Sequence, residues 1–247
     1  MKNENIYIYE NFKELLSVIA YLIINQIKPY NIQKKEKVTP SLFTNLIHLD
    51  THTYQQFWNK KLSSKIYSLI KDAYRSEDEY KELVLYYVLL NYQKYGEKVI
   101  HMRNLKCVNK LLALSKYVHS ENHKWKGFLR FQEMENHFYY AEFEPVNDIL
   151  ELIAPHFKTR FQNENWLIKD VKRKKYAFKK GNHLFFLQEE DILKLELKQS
   201  LKEEECEDLW KTFFHTIAIK ERTNKKCQQN FMPKRYWKYM IEMEREQ

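Results

Sequence analysis

Glycine is the scarcest informative residue. The chain has 247 residues and three glycines, Gly96, Gly127 and Gly181, where average usage predicts roughly seventeen. Phosphate-cradling loops need clustered glycines, because only a chain without side chains lets the backbone approach the phosphate closely. With these three so far apart, neither G-x-G-x-x-G nor a Walker A loop can be written. Nucleotide-driven motors and dinucleotide dehydrogenases are therefore excluded. Hydrophobic residues make up 44% and aromatics 15%, enough to build a core rather than a disordered chain. The length allows one large domain or two small ones.

The three cysteines, Cys107, Cys206 and Cys227, form no C-x-x-C pair. A structural zinc, a cysteine-held iron–sulfur cluster and a disulfide scaffold are all disfavoured. The longest apolar run, Leu15 to Ile27, is too short for the ~20 residues that span a bilayer. It reads as a buried helix. Glu4, Glu10 and Glu14 leave no basic region for a signal peptide. The expected setting is soluble and cytoplasmic, with no membrane.

The periodicity predicts an α+β fold in three regions. Residues 1–120 read as a mainly helical bundle. A short strand, Ile6 to Tyr9, leads to Asn11, an N-cap for the helix carrying Leu15, Leu16, Ile19, Leu22 and Ile23, which Pro29 stops. Further apolar stripes include Phe57, Leu62, Ile66 and Ile70; then Tyr80, Val84, Tyr87 and Val88; then Val108, Leu111, Leu112 and Val118. Ser76–Glu79 has the form of a capping box, and Gly96 stands where a C-cap belongs. Residues 121–190 read as a small antiparallel sheet in the order strand, strand, helix, strand, strand, strand. Its first strand is at Phe128–Phe131, its helix at Val146–Phe161 with a kink at Pro155, and its last hairpin turns at Lys180–His183. Residues 191–247 return to helix, with Trp210, Phe213, Phe214 and Ile217 at helical spacing and a last short helix opened by Pro233. This C-terminal region is expected to pack on the preceding one.

The net charge of +9 is local. Residues 169–180 carry seven basic groups against one acid, and residues 217–240 carry the same balance. Aromatics interleave both. Basic groups neutralise phosphates, and exposed rings stack on unpaired bases. Lys172, Arg173, Lys174 and Lys175 are the expected electrostatic attraction. Arg222, Asn224, Lys234 and Arg235 are the expected phosphate or base contacts, with Tyr236 or Trp237 as a stacking ring.

Longer motifs run through the same part of the chain: Trp125-Lys-Gly-Phe-Leu-Arg-Phe131, Tyr140-Ala-Glu-Phe-Glu-Pro145, Ala154-Pro-His-Phe157, Arg160-Phe161, Trp166-Leu-Ile-Lys-Asp170, Trp210-Lys-Thr-Phe213, Ile217-Ala-Ile-Lys-Glu-Arg222 and Met232-Pro-Lys-Arg-Tyr-Trp237. Together they resemble a bacterial family described as probable DNA metabolism proteins. Its members occur beside a radical-SAM protein of DNA repair or modification, and some are fused to a uracil-DNA-glycosylase-like domain. The resemblance implies DNA as a partner and the radical-SAM protein as another. It brings no established catalytic residues. The iron–sulfur cluster and SAM would belong to the partner, since this chain lacks the cysteine spacing for them, and no cofactor is expected here.

The catalytic candidates are His156, Glu221 and Asn224. His156 could serve as a general base or simply pack at the Pro155 kink. Glu144 and Asp148 flank Pro145 and are expected to cap the following helix. The pairs His48/His52 and His119/His123 have helical metal-binding spacing but lack the rest of a zinc motif. The leading expectation is a DNA-binding accessory protein. The alternatives are an enzyme acting on a damaged or flipped base, and an adaptor that holds the radical-SAM protein without touching DNA.

Overall fold

Two short, polar strands hide in the region the periodicity assigns to helices. The computed structural model describes residues 4–38, 44–49, 54, 56–58, 61–134, 138–189 and 229–240. The chain divides into two units, Met1–His119 and Ser120–Gln247. Both combine helix and sheet, so the α+β class holds.

In the first unit, β1 (Glu4–Tyr9) is the centre of a three-stranded parallel sheet, flanked by β2 (Asn31–Lys34) and β3 (Thr44–His48). The strand expected at Ile6–Tyr9 is β1, and β2 and β3 are additions to the mainly helical reading. β2 has one buried residue, Ile32, and β3 has none, so neither shows the continuous apolar run of a buried parallel strand. Between β1 and β2 runs α1 (Phe12–Ile24), buried nearly all round. Asn11 caps it, its side chain accepting the Glu14 amide at 3.1 Å. The helix ends before Pro29, with Gln26 in the left-handed region at φ 55.

α2 (Ser64–Tyr74) and α3 (Lys81–Tyr95) complete this unit with the first part of α4 (Lys106–Phe128). Phe57 lies outside α2. Gly96, at φ 60, ends α3 as expected. The Ser76–Glu79 segment is not a capping box. Its Ser76 hydroxyl accepts the Asp78 amide at 3.2 Å, Asp78 accepts the Tyr80 amide at 3.0 Å, and α3 starts without a side-chain cap.

Two buried polar centres brace the first unit. The Tyr9 hydroxyl donates to Glu82 at 2.6 Å, and both residues are buried. Burial raises the Glu82 carboxyl pKa, although the Tyr9 bond and nearby Lys81 oppose the rise. Lys81, also buried, donates to the carbonyls of Tyr74 and Ser76 at 2.7 and 2.6 Å. The second centre is Asp72, which accepts from Ser115 at 3.2 Å and meets His119 at 2.8 Å.

The second unit holds a five-stranded sheet, β4 (Gln132–Met134), β5 (Phe138–Phe143), β6 (Asn165–Asp170), β7 (Lys175–Lys180) and β8 (His183–Gln188), in that spatial order. The expected element order is present, but the sheet is mixed rather than antiparallel. β5 and β6 run parallel, because α5 (Leu150–Arg160) occupies the connection and returns the chain to its starting end. The first expected strand is displaced. Trp125, with 1% exposure, and Leu129 extend the stripe begun by Val118 and Glu121, so α4 continues to Phe128. Pro155 sits inside α5 as read. The β7–β8 hairpin turns at Gly181, whose φ of 56 suits glycine.

The core of this unit is aromatic. Phe131 packs against Phe157 at 5.1 Å, Phe161 at 5.0 Å and Trp166 at 6.1 Å between ring centres. Four of the motif segments thus meet on one ring. The Trp210–Ile217 stripe lies outside the described residues.

Tyr9→Phe should cost the first unit about 1–3 kcal/mol, because Glu82 loses its buried donor; urea unfolding measures this. A raised carboxyl pKa favours folding while the group is protonated, and that contribution fades as pH climbs through the raised value. Glu82→Gln should therefore flatten the decline in stability on the alkaline side of the usual carboxylate range, read from urea midpoints against pH.

Candidate nucleic-acid interface

The geometry centres on the loop that follows β5, from Glu144 to Asp148. Glu121, on α4, has a side chain only 1% exposed. Its carboxylate accepts the Val146 amide at 2.9 Å, the Asn147 amide at 2.8 Å and the Asn147 side chain at 2.7 Å. Arg235 reaches the same carboxylate at 3.4 Å. From the other side, Arg173 takes the loop's carbonyls. Its guanidinium donates to Pro145 at 3.2 Å and also to Val146. Asp170, fully buried, holds Arg173 through its amide and its guanidinium, each at 3.1 Å. Burial raises the Asp170 carboxyl pKa, and Arg173 pulls it back. The loop's amides are thus satisfied by an acid and its carbonyls by a base.

This arrangement reassigns several sequence expectations. Arg173 is not an open phosphate contact, since its fork is spent on Asp170 and two carbonyls. Lys175 pairs with Asp148 at 2.6 Å, and Lys174 with Glu189 at 2.8 Å. Lys172 is exposed and donates weakly to the Val146 carbonyl at 3.5 Å. Asp148 does not cap α5; the helix starts at Leu150, and its N-cap residue, Ile149, offers no side-chain cap. Glu144 does not cap it either. It receives Lys238, and Tyr239 at 3.1 Å, and these donors lower its carboxyl pKa, Lys238 most.

The last short helix opened by Pro233 is a 3₁₀ turn, Lys234–Tyr239. Tyr236 is fully buried, 4.8 Å from Trp125 and 5.1 Å from Phe128 between ring centres. It cannot stack on a base, because the ring is already inside the core. It is an anchor instead, and its hydroxyl receives the Arg235 guanidinium at 2.8 Å. Trp237 is half-buried, its indole N–H donating to the Met232 carbonyl at 2.9 Å. Lys234 is exposed and has no acidic partner among the described residues. Glu221, Arg222 and Asn224 lie outside the described residues.

His156 stands apart from this loop, on α5. Burial lowers its pKa, helped by Lys126 and Arg160. Among the described residues no carboxylate orients it, so it lacks the partner that a triad-type base requires. His48 meets Glu14 at 3.3 Å and His119 meets Asp72, so both are engaged locally; His52 lies outside the described residues. Among the described residues no group of three His, Cys, Asp or Glu side chains could hold a metal ion. No helix among them is long and apolar enough to cross a membrane.

One contributor escaped the sequence reading, and the exposure of another was not legible in it. Glu121 is an acid on an apolar helical stripe, and that misplacement is its only signal. Phe231 stands among the aromatics of the second basic cluster in the sequence, but no periodicity tells that its ring is 76% exposed.

The chain belongs to DUF4130, a domain of unknown function whose family model matches residues 79–242. No curated protein and no solved structure matches it.

Glu121→Ala should strand three donors, the Val146 amide and the buried amide and side chain of Asn147. We expect a loss of about 3–5 kcal/mol in the second unit by urea unfolding. In NMR titration His156 should protonate below the usual histidine range, and Arg160→Gln should move its midpoint upward.

Proposed function

We propose that this protein is a nucleic-acid-binding accessory factor in DNA repair or modification, acting beside a radical-SAM protein. One observation carries the nucleic-acid part of this reading. Two basic segments, far apart in sequence, converge on the Glu144–Asp148 loop. Lys172 and Arg173 reach it from the β6–β7 turn, Lys175 from the start of β7, and Lys238 from the C-terminal turn. Arg235 joins through Glu121.

The internal carboxylates neutralise part of this charge and also shape the rest. Glu144, Asp148 and Asp170 hold three of the cations in place. Exposed Lys234 stands beside them as a phosphate contact, and exposed Lys172, held to the Val146 carbonyl at 3.5 Å, can turn to a phosphate at small cost. Exposed ion pairs are worth only ~0–1 kcal/mol, so Lys174 and Lys238 can exchange a carboxylate for a phosphate at little cost. The loop also lies at the carboxyl ends of the parallel strands β5 and β6, where open α/β sheets commonly bind ligands. The DNA context and the radical-SAM partner rest on the motif resemblance. The iron–sulfur cluster and SAM would be that partner's.

Fluorescence anisotropy on labelled DNA tests the reading. Affinity should fall steeply between about 50 and about 200 mM salt. The Lys172→Ala/Lys234→Ala double variant should weaken binding and reduce the log–log salt slope by about 2. Absence of binding at low salt would overturn the proposal and leave the adaptor role, tested by nuclease-resistant co-purification with the radical-SAM protein.

A further inference from the structure

We infer that this surface takes unpaired nucleotides, with Phe231 and Trp237 stacking on bases and Lys234 meeting the adjacent phosphate. The inference rests on the nucleic-acid reading above and specifies its substrate class. It comes from how the C-terminal turn is held. Tyr236 points inward and is wedged against Trp125 and Phe128, while Met240 is also buried. Those anchors hold the Lys234–Tyr239 turn, and the Trp237 indole N–H ties that turn back to the Met232 carbonyl, next to Phe231. The side chains of the same segment that face outward are Phe231, Lys234, Arg235 and Lys238, with Trp237 half-exposed.

The chemistry of the two rings is specific. Phe231 has no polar group, so it offers an incoming ligand only an apolar surface. Trp237 has one donor, and that N–H is already bonded to the Met232 carbonyl at 2.9 Å. Its remaining offer is the indole face, held in orientation by that bond. A lone exposed ring is ordinary on a protein surface. Here the exposed ring is three residues from an exposed lysine with no acidic partner among the described residues, and six from an indole held by its N–H. Alternating rings and cations suit a single strand, which presents a base face and a phosphate at every step. A duplex hides its base faces in the stack and shows only edges in its grooves. Rings on and beside that turn have nothing to offer those edges, whereas the lysines serve either form.

The experiment compares the full chain on a single-stranded oligothymidine and on a hairpin duplex of equal charge, by anisotropy at fixed salt. Phe231 is exposed, so its replacement leaves the fold intact, which circular dichroism verifies. Phe231→Ala should weaken single-strand binding by about 5- to 150-fold, leave duplex binding unchanged and leave the salt slope unchanged. Phe231→Tyr should restore the single-strand affinity. Equal losses on both substrates, or no loss on either, would overturn the stacking inference while salt-sensitive binding by the wild type keeps the broader reading. If the wild type binds neither substrate, both fall. If Phe231→Ala instead removes a co-purifying protein and leaves oligothymidine binding intact, the ring is a protein contact and the inference is overturned.

Discussion

The second unit is organised around the carboxylate of Glu121. A carboxylate placed on the apolar stripe of a helix is costly unless every lone pair is used. Here the side chain collects two backbone amides, an asparagine amide and a guanidinium. The loop after β5 therefore cannot wander, since its amides answer to α4. The C-terminal turn is tied in by the same atoms. Arg173 completes the arrangement from the opposite side by taking the carbonyls of the same loop, and buried Asp170 holds Arg173 in turn. One loop is thereby fixed by an acid from a helix and a base from a turn, and the surface cations are arrayed around it.

That arrangement changes the meaning of the basic runs. A string of lysines and arginines in sequence suggests a uniform positive face. In the folded unit the run 169–180 serves several ends. Lys179 is buried and donates to the carbonyls of Gln162 and Glu164 at 2.9 and 2.6 Å, which pins the connection between α5 and β6. Arg173 is structural, and Lys169 pairs with Glu142 at 3.2 Å. What remains for a partner is sparse and positioned, so specificity of placement matters more here than total charge.

Much of the fold was legible from periodicity where elements are long or alternate cleanly. The buried helix after Asn11, the glycine stop at Gly96 and the hairpin at Gly181 are cases in which one residue's stereochemistry decides the outcome. The missed elements share a physical cause. β2 and β3 are short edge strands whose pairing depends on β1 rather than on their own side chains. The parallel pairing of β5 with β6 follows from where α5 returns the chain, which is a tertiary fact. Within the candidate site, the identities of the basic residues were readable, but their partners were not. Nothing local marks Tyr236 as buried and Phe231 as exposed. That difference depends on Trp125, more than a hundred positions away in sequence.

The same separation has a consequence for how the protein is made. The Glu121–Arg235 contact joins residues 114 positions apart, and Tyr236 reaches its pocket over a similar span. On the ribosome, α4 and the sheet emerge long before the turn that completes them. Until then Glu121 lacks its guanidinium, and Trp125, already against Phe143, lacks the Tyr236 ring. The nascent second unit is thus left with an unfilled aromatic slot, a natural point for a chaperone to hold and a reason why a chain cut short before residue 234 would mature poorly.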